Sequence, residues 1–205
     1  QSVRDDPPVW EAERARAVDY WTGLVGRHTR LTLPEKRLEY AHRAATAHVL
    51  LGTRTFASGR TQADGLPYPM LFIICLWDYQ MLYDSMGLGM FYEVNLPHLR
   101  ARQLEDGMLL DTSLTHGKRI MSSHGPTLFS VTHHVVMTRD RGFASNVWPL
   151  VRKAVDCIRI DHENDPKGLV RPSWPYDAEM ISGYYASHNY WTLAALRSAI
   201  RAARL

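Results

Sequence analysis

The chain has 205 residues, 45% of them hydrophobic and 22% charged, with a net charge of +3. This is the composition of a globular chain with room for one sizeable core or two small ones. It carries no basic block, so nucleic acid is excluded as an expected partner; its longest apolar run, Met70 to Trp77, is too short to span a bilayer, so no membrane is expected.

Strand signals are few and helical ones many. An amphipathic helix is expected over Val9 to Val25, within an N-terminal helix-and-linker region of residues 1–33. A second helix runs from Pro34 to Leu51, opened by its proline. Leu71 to Met86 is apolar nearly all round, which predicts a helix buried on all sides. After the Gly87-Leu88-Gly89 turn, Met90 to Leu104 reads as an outer helix. Leu128 to Met137 is again apolar all round and inner, and Thr138 to Gly142 is a turn. From Ser145 to Ile160, Val147, Leu150, Val151, Ala154, Val155 and Ile158 keep one apolar face between Arg152, Lys153, Asp156 and Arg159, the pattern of an outer helix. Ile181 to Ala203, with apolar groups on two faces, is inner. Cys75 and Cys157 lie in apolar segments and read as buried free thiols.

Alternation of outer and inner helices predicts an all-α fold, a partial α/α toroid of about three helical hairpins over residues 34–205; an irregular helical bundle is the alternative. The longer connections, Thr53 to Pro69, Asp106 to Ser123 and Asp161 to Asp177, each lead from an outer helix to an inner one. With helices alternating in direction, all three emerge at one end, where a binding site would be built.

An ordered series of motifs runs through this region. Leu66-Pro67-Tyr68 precedes Trp77-Asp78; Gln103 to Gly107 reads Q-x-x-D-G; Ser123-His124-Gly125-Pro126 opens a helix that ends at Thr138-Arg139-Asp140. Trp148 to Ile158, Gly168-Leu169 to Pro172, and His188-Asn189-Tyr190-Trp191 follow. In order and spacing this resembles the six-hairpin glycosidases, the (α/α)6-barrel clan of glucoamylases, trehalases and glycogen-debranching-type glucosidases. A complete barrel has twelve helices, so the chain looks like the first three hairpins. The other half, or a second copy of the chain, would be the partner that completes it. No cofactor is implied.

Glycoside hydrolysis needs a carboxylic acid to protonate the leaving oxygen and a carboxylate to activate water or attack carbon. By resemblance, Glu179 falls where glucoamylase-like members place the general acid, with Asp177 two residues away. The alternative for both is decoration of a helix N-terminus, where carboxylates are favoured. Asp78, within an apolar helix, is costly to bury unpaired and must meet a partner, water or ligand. The resemblance implies a contact with sugar hydroxyls, although Trp77 stands where the family has an arginine; a structural Asp paired with an arginine or the backbone is the other reading. Tyr68, Trp174, Tyr176 and Trp191 could stack on sugar rings, whereas Trp10, Trp21 and Trp148 read as packing residues. His124 is either a ligand contact or a capping or core residue. Adjacent His133 and His134 point to different helix faces and make a poor chelate, so no metal is expected. Asp161 to Asp165 reads as a solvated connection.

The resemblance therefore implies the N-terminal part of a glycoside hydrolase acting on α-linked glucosides with inversion, its general base outside this chain. A carbohydrate-binding or scaffold protein without hydrolysis is the second reading. A sugar epimerase or isomerase leaning on histidines is the third. A soluble protein, cytoplasmic or secreted, fits each.

Overall fold

The structure, a computed structural model, describes residues 7–27, 29, 31–55, 61–63, 75–110, 120–173 and 181–205. Its helices are α1 (Pro7–Gly26), α2 (Lys36–Leu51), α3 (Leu76–Ser85), α4 (Met90–Glu93), α5 (Leu96–Ala101), α6 (Met121–Thr138), α7 (Arg141–Asn164) and α8 (Ala186–Ala202). A small antiparallel hairpin, β1 (Thr53–Thr55) with β2 (Thr61–Ala63), lies inside the first long connection. The fold is all-α, and no described helix is long and apolar enough to cross a membrane.

The register of contacts gives the directions of the helices. Along α3 and α6, Gln80 meets His133, Asp84 meets His134, and Gly89 just beyond α3 approaches Thr138. Along α6 and α8, Gly125 touches Trp191 and Thr192, and Val136 lines one cavity with Arg201. Residue numbers rise together on all three helices, so α3, α6 and α8 are parallel, with α6 in the middle. Against α7 the numbers run oppositely: His124 meets the Ala154 carbonyl, and His134 meets Phe143. Helix α5 runs parallel to α7, with Arg100 on Asn146 and Gln103 on Leu150. A layer of parallel inner helices is thus backed by outer helices of the opposite sense.

Helix α6 starts at Met121, well before the apolar run that begins at Leu128. Ser122, Ser123, Gly125 and Pro126 are poor helix formers, yet this whole stretch is buried and packing overrides propensity. Gly125 is required there: a Cβ would stand 3.0 Å from the Thr192 nitrogen and from Trp191, so only glycine lets the two inner backbones meet. The helix ends at Arg139, in the left-handed conformation, and the Asp140 carboxylate at once caps α7 by accepting from the Phe143 N–H at 2.9 Å. This tight reversal produces the antiparallel inner–outer pair, and α7 therefore begins at Arg141 rather than Ser145.

Other expectations are corrected. Met90 to Leu104 is not one helix but α4 and α5. Pro97 lacks an N–H, and its ring would meet the Glu93 carbonyl, so the helix breaks at Asn95. Residues 161–164 are the last turn of α7, not a solvated connection, and Asp161 is buried. Trp21 and Trp148 pack on the core, but Trp10 is 62% exposed. The inner helices are not buried on all sides: α3 exposes Asp78 and Met81, and α8 exposes Leu193 (58%) and Ile200 (52%), because no described residue covers those flanks. Cys157 is buried and Cys75 half-buried, and neither is in a disulfide.

Candidate functional site

All outer-to-inner connections reach the N-terminal ends of α3, α6 and α8, and polar and aromatic groups collect there. Trp77 and Asp78 occupy the first turn of α3. The Trp77 ring lies 4.8 Å from that of Trp191 on α8, tilted by 52°. Trp191 in turn meets Phe129 edge-on at 5.6 Å, and Phe129 stacks on His133 at 5.0 Å. One aromatic line therefore crosses all three inner helices.

Asp78 is exposed and accepts no hydrogen bond from any described residue. Partial removal from water raises its carboxyl above the usual range. Of the two readings of Asp78, the buried structural Asp paired with an arginine or the backbone is corrected, because α3 turns it to the open flank.

Beneath the aromatics, polar groups tie the connections down. Ser173 and Gly183 exchange backbone hydrogen bonds of 3.1 and 3.0 Å. The Ser173 hydroxyl oxygen accepts from the Met121 N–H at 3.0 Å and lies 3.4 Å from His188 Nδ1. Nε2 of His188 is buried without a hydrogen-bond partner, as is the Ser122 hydroxyl. Burial holds the His188 imidazole below its usual range, which favours the neutral ring. Arg171 straps residues 165–173 to α7, donating from Nε to both Asp161 oxygens at 2.7 and 2.9 Å, with Asp106 3.6 Å from Nη1.

Of the residues singled out from sequence, Trp77 and Trp191 come together, and Asp78 follows Trp77 in the same turn of α3 on its exposed side. Glu179, Asp177, Trp174, Tyr176 and Tyr68 lie outside the described residues. His124 is corrected: it is fully buried, its Nδ1 accepts from the Leu109 N–H at 2.9 Å, and its Nε2–H donates to the Ala154 carbonyl at 3.1 Å. Both ring nitrogens are taken, so it staples α6 to α7 and to the segment after α5 instead of meeting a ligand. The Q-x-x-D-G segment is structural as well. Gln103 donates to the Gly107 and Leu150 carbonyls, and Gly107 (φ +89°) lies so close to the Lys153 carbonyl that a Cβ has no room.

Sequence reasoning missed a second polar cluster, at the other end of the inner helices. Asp84 and His134 are both buried, with His134 Nδ1–H donating to Asp84 at 2.8 Å. Gln80 donates to the other Asp84 oxygen at 2.5 Å, and its amide also meets His133. Glu93 lies 3.4 Å from His134 Nε2. The available signal was Gln80 and Asp84, one turn apart on an apolar helix, facing a histidine pair on the next inner helix.

The chain matches no protein-family model, no curated protein and no solved structure.

Proposed function

We propose that the chain is the N-terminal half of an (α/α)6 barrel that acts on carbohydrate, with the sugar held at the N-terminal ends of α3, α6 and α8. One observation carries this reading: Asp78, exposed and unpaired among the described residues, directly follows Trp77 in the first turn of α3, and Trp77 packs on Trp191 at the end that the connections reach. An aromatic face beside a free carboxylate suits a sugar, which offers C–H faces to the ring and hydroxyls to the acid. In this reading the ligand is an α-linked glucoside, Trp77 supports its ring and Asp78 accepts from its hydroxyls. Glu179 is the general acid, with Asp177 as the alternative, and the general base comes from the other half of the barrel or from a second copy of the chain.

A panel of α-glucosides tests this with wild type and Glu179→Gln, the chain being assayed alone and with any region encoded after Leu205. The expected result is hydrolysis that Glu179→Gln abolishes and Trp77→Ala weakens through binding. Glycan binding with no turnover under either condition would overturn hydrolysis and leave a carbohydrate-binding scaffold. Interconversion of a sugar without bond cleavage would point to a histidine-based epimerase; His124 is committed to backbone, so His188 would be the residue to replace.

A further inference from the structure

Between α6 and α8, toward their C-terminal halves, lies a cavity of about 200 Å³ lined by Phe129, His133, Val136, Arg197, Ser198 and Arg201. Arg197 and Arg201 stand one turn apart on α8, both exposed. Neither makes an ion pair or hydrogen bond among the described residues, and no carboxylate lines the cavity. Like charges at this spacing repel. The negative end of the α8 dipole accounts for Arg201, in the last turn, but not for Arg197 a full turn earlier.

Two further groups point to a ligand. The Ser198 hydroxyl is buried and has no hydrogen-bond partner, although a serine inside a helix ordinarily bonds to the carbonyl one turn back. His133 is fixed from behind. The Gln80 amide gives one hydrogen to Asp84 and has its nitrogen 3.0 Å from His133 Nδ1. The Gln80 amide oxygen lies 3.2 Å from the same Nδ1, so either ring tautomer fits this contact, and Nε2 meets no described partner. Phe129 stacked on the ring holds its plane.

We propose that this cavity binds the phosphate group of a small molecule. The Arg197 and Arg201 guanidiniums would neutralise its charge, the Ser198 hydroxyl would donate to it, and His133 would donate from Nε2 in the tautomer whose Nδ1 accepts from Gln80, or when protonated. Guanidiniums suit a tetrahedral oxyanion because their forked N–H groups match its oxygens. The cavity is smaller than the roughly 300–1,000 Å³ of a drug-sized site, which suits a phosphate group with the rest of its carrier outside. This site adjoins the one proposed for sugar through Phe129, which meets Trp191, but does not depend on that reading.

Calorimetric titration of the full chain at low ionic strength, with inorganic phosphate, a hexose phosphate and the free hexose, tests the proposal. Saturable binding is expected with a dissociation constant of about 1 mM, along with an upward shift of the His133 imidazole titration followed by NMR. The Arg197→Ala/Arg201→Ala double variant should weaken binding at least about tenfold, and Ser198→Ala about threefold. Arg204→Ala, outside the cavity, should leave it unchanged. Arg197 and Arg201 are exposed, so their removal leaves the core intact. Equal affinity for phosphate and hexose phosphate assigns the site to free phosphate, and tighter binding of the ester assigns it to a phosphorylated ligand. Absence of saturation overturns the proposal, as does wild-type affinity in the double variant or an equal loss in Arg204→Ala.

Discussion

The two aspartates of α3 stand on one helix in opposite circumstances. Asp84, near its end, is buried and accepts from both His134 and Gln80. Gly89 packs so close that an added Cβ would stand 2.9 Å from an Asp84 oxygen. Asp78, in the first turn, is exposed, and no described residue bonds to it. A carboxylate held by two donors in a space without slack is part of the scaffold. A carboxylate left open on the exposed side of the same helix is available to something outside the chain. The contrast predicts that Asp84→Ala has the largest effect on stability. It leaves His134 and Gln80 without their acceptor in a dry site, costing about 3–4 kcal/mol in urea unfolding. A loss below about 1 kcal/mol would remove the basis of the contrast.

A second scaffold residue gives the comparison a pH axis. Burial pushes the His124 imidazole down to about 4 from an ordinary 6.5. The unfolded chain therefore takes up a proton as pH falls through 6.5, while the folded chain resists until about 4. In that window only the unfolded state binds the proton, so the contribution present above pH 6.5 is lost as pH falls. Between about pH 7 and 4.5, wild type should lose about 2–3 kcal/mol more than His124→Gln, which carries no proton to take up. His133 and His188, also held below the usual range by burial, titrate in both proteins and cancel in the difference. Parallel pH profiles for the two proteins would show that His124 is not protected.

Arg171 is intermediate. It spans the junction between scaffold and candidate site, anchoring residues 165–173 through the buried Asp161. Its replacement by alanine leaves Asp161 without its cation and should cost about 2 kcal/mol. Hydrogen exchange should locate the loss: protection of the Val170 and Arg171 amides falls, because the former donates to Asn189 and the latter to Asp161. The amides of α6 stay protected. A uniform loss would mean that the strap is part of the global core.

The layered helical fold was legible in the sequence where one period dominates. The single apolar face of α7 and the all-round apolar run inside α6 identified an outer and an inner helix. Boundaries were legible only where local chemistry decides them. The start of α6 was read from the Ser123-His124-Gly125-Pro126 motif to within two residues, whereas periodicity alone shows only the run from Leu128, because Ser122, Ser123, Gly125 and Pro126 form helix only when packed against α8. The break at Asn95 follows from Pro97 alone and could have been read. Roles of single polar residues were the least legible. Asp78 and Asp84 sit in the same apolar context, and only the direction in which α3 turns each of them separates exposed from buried. His124, a candidate for ligand contact, turned out to hold two backbone groups whose positions depend on helices far along the chain.

The smallest expected change in stability is the sharpest test of the contrast. Asp78→Asn removes a charge from an exposed side chain with no partner among the described residues, so unfolding should shift by no more than about 0.5 kcal/mol. The residue should matter to a ligand instead. Asparagine keeps the shape but accepts more weakly and donates where the carboxylate only accepted, so glycan binding at this end should fall about tenfold. Trp77→Ala supplies the control in the other direction, since it breaks the contact with Trp191 and should lower stability and binding together. If Asp78→Asn lowers stability by as much as Arg171→Ala, the carboxylate belongs to the scaffold after all. If it changes neither stability nor binding, the open end of α3 is not where the ligand sits.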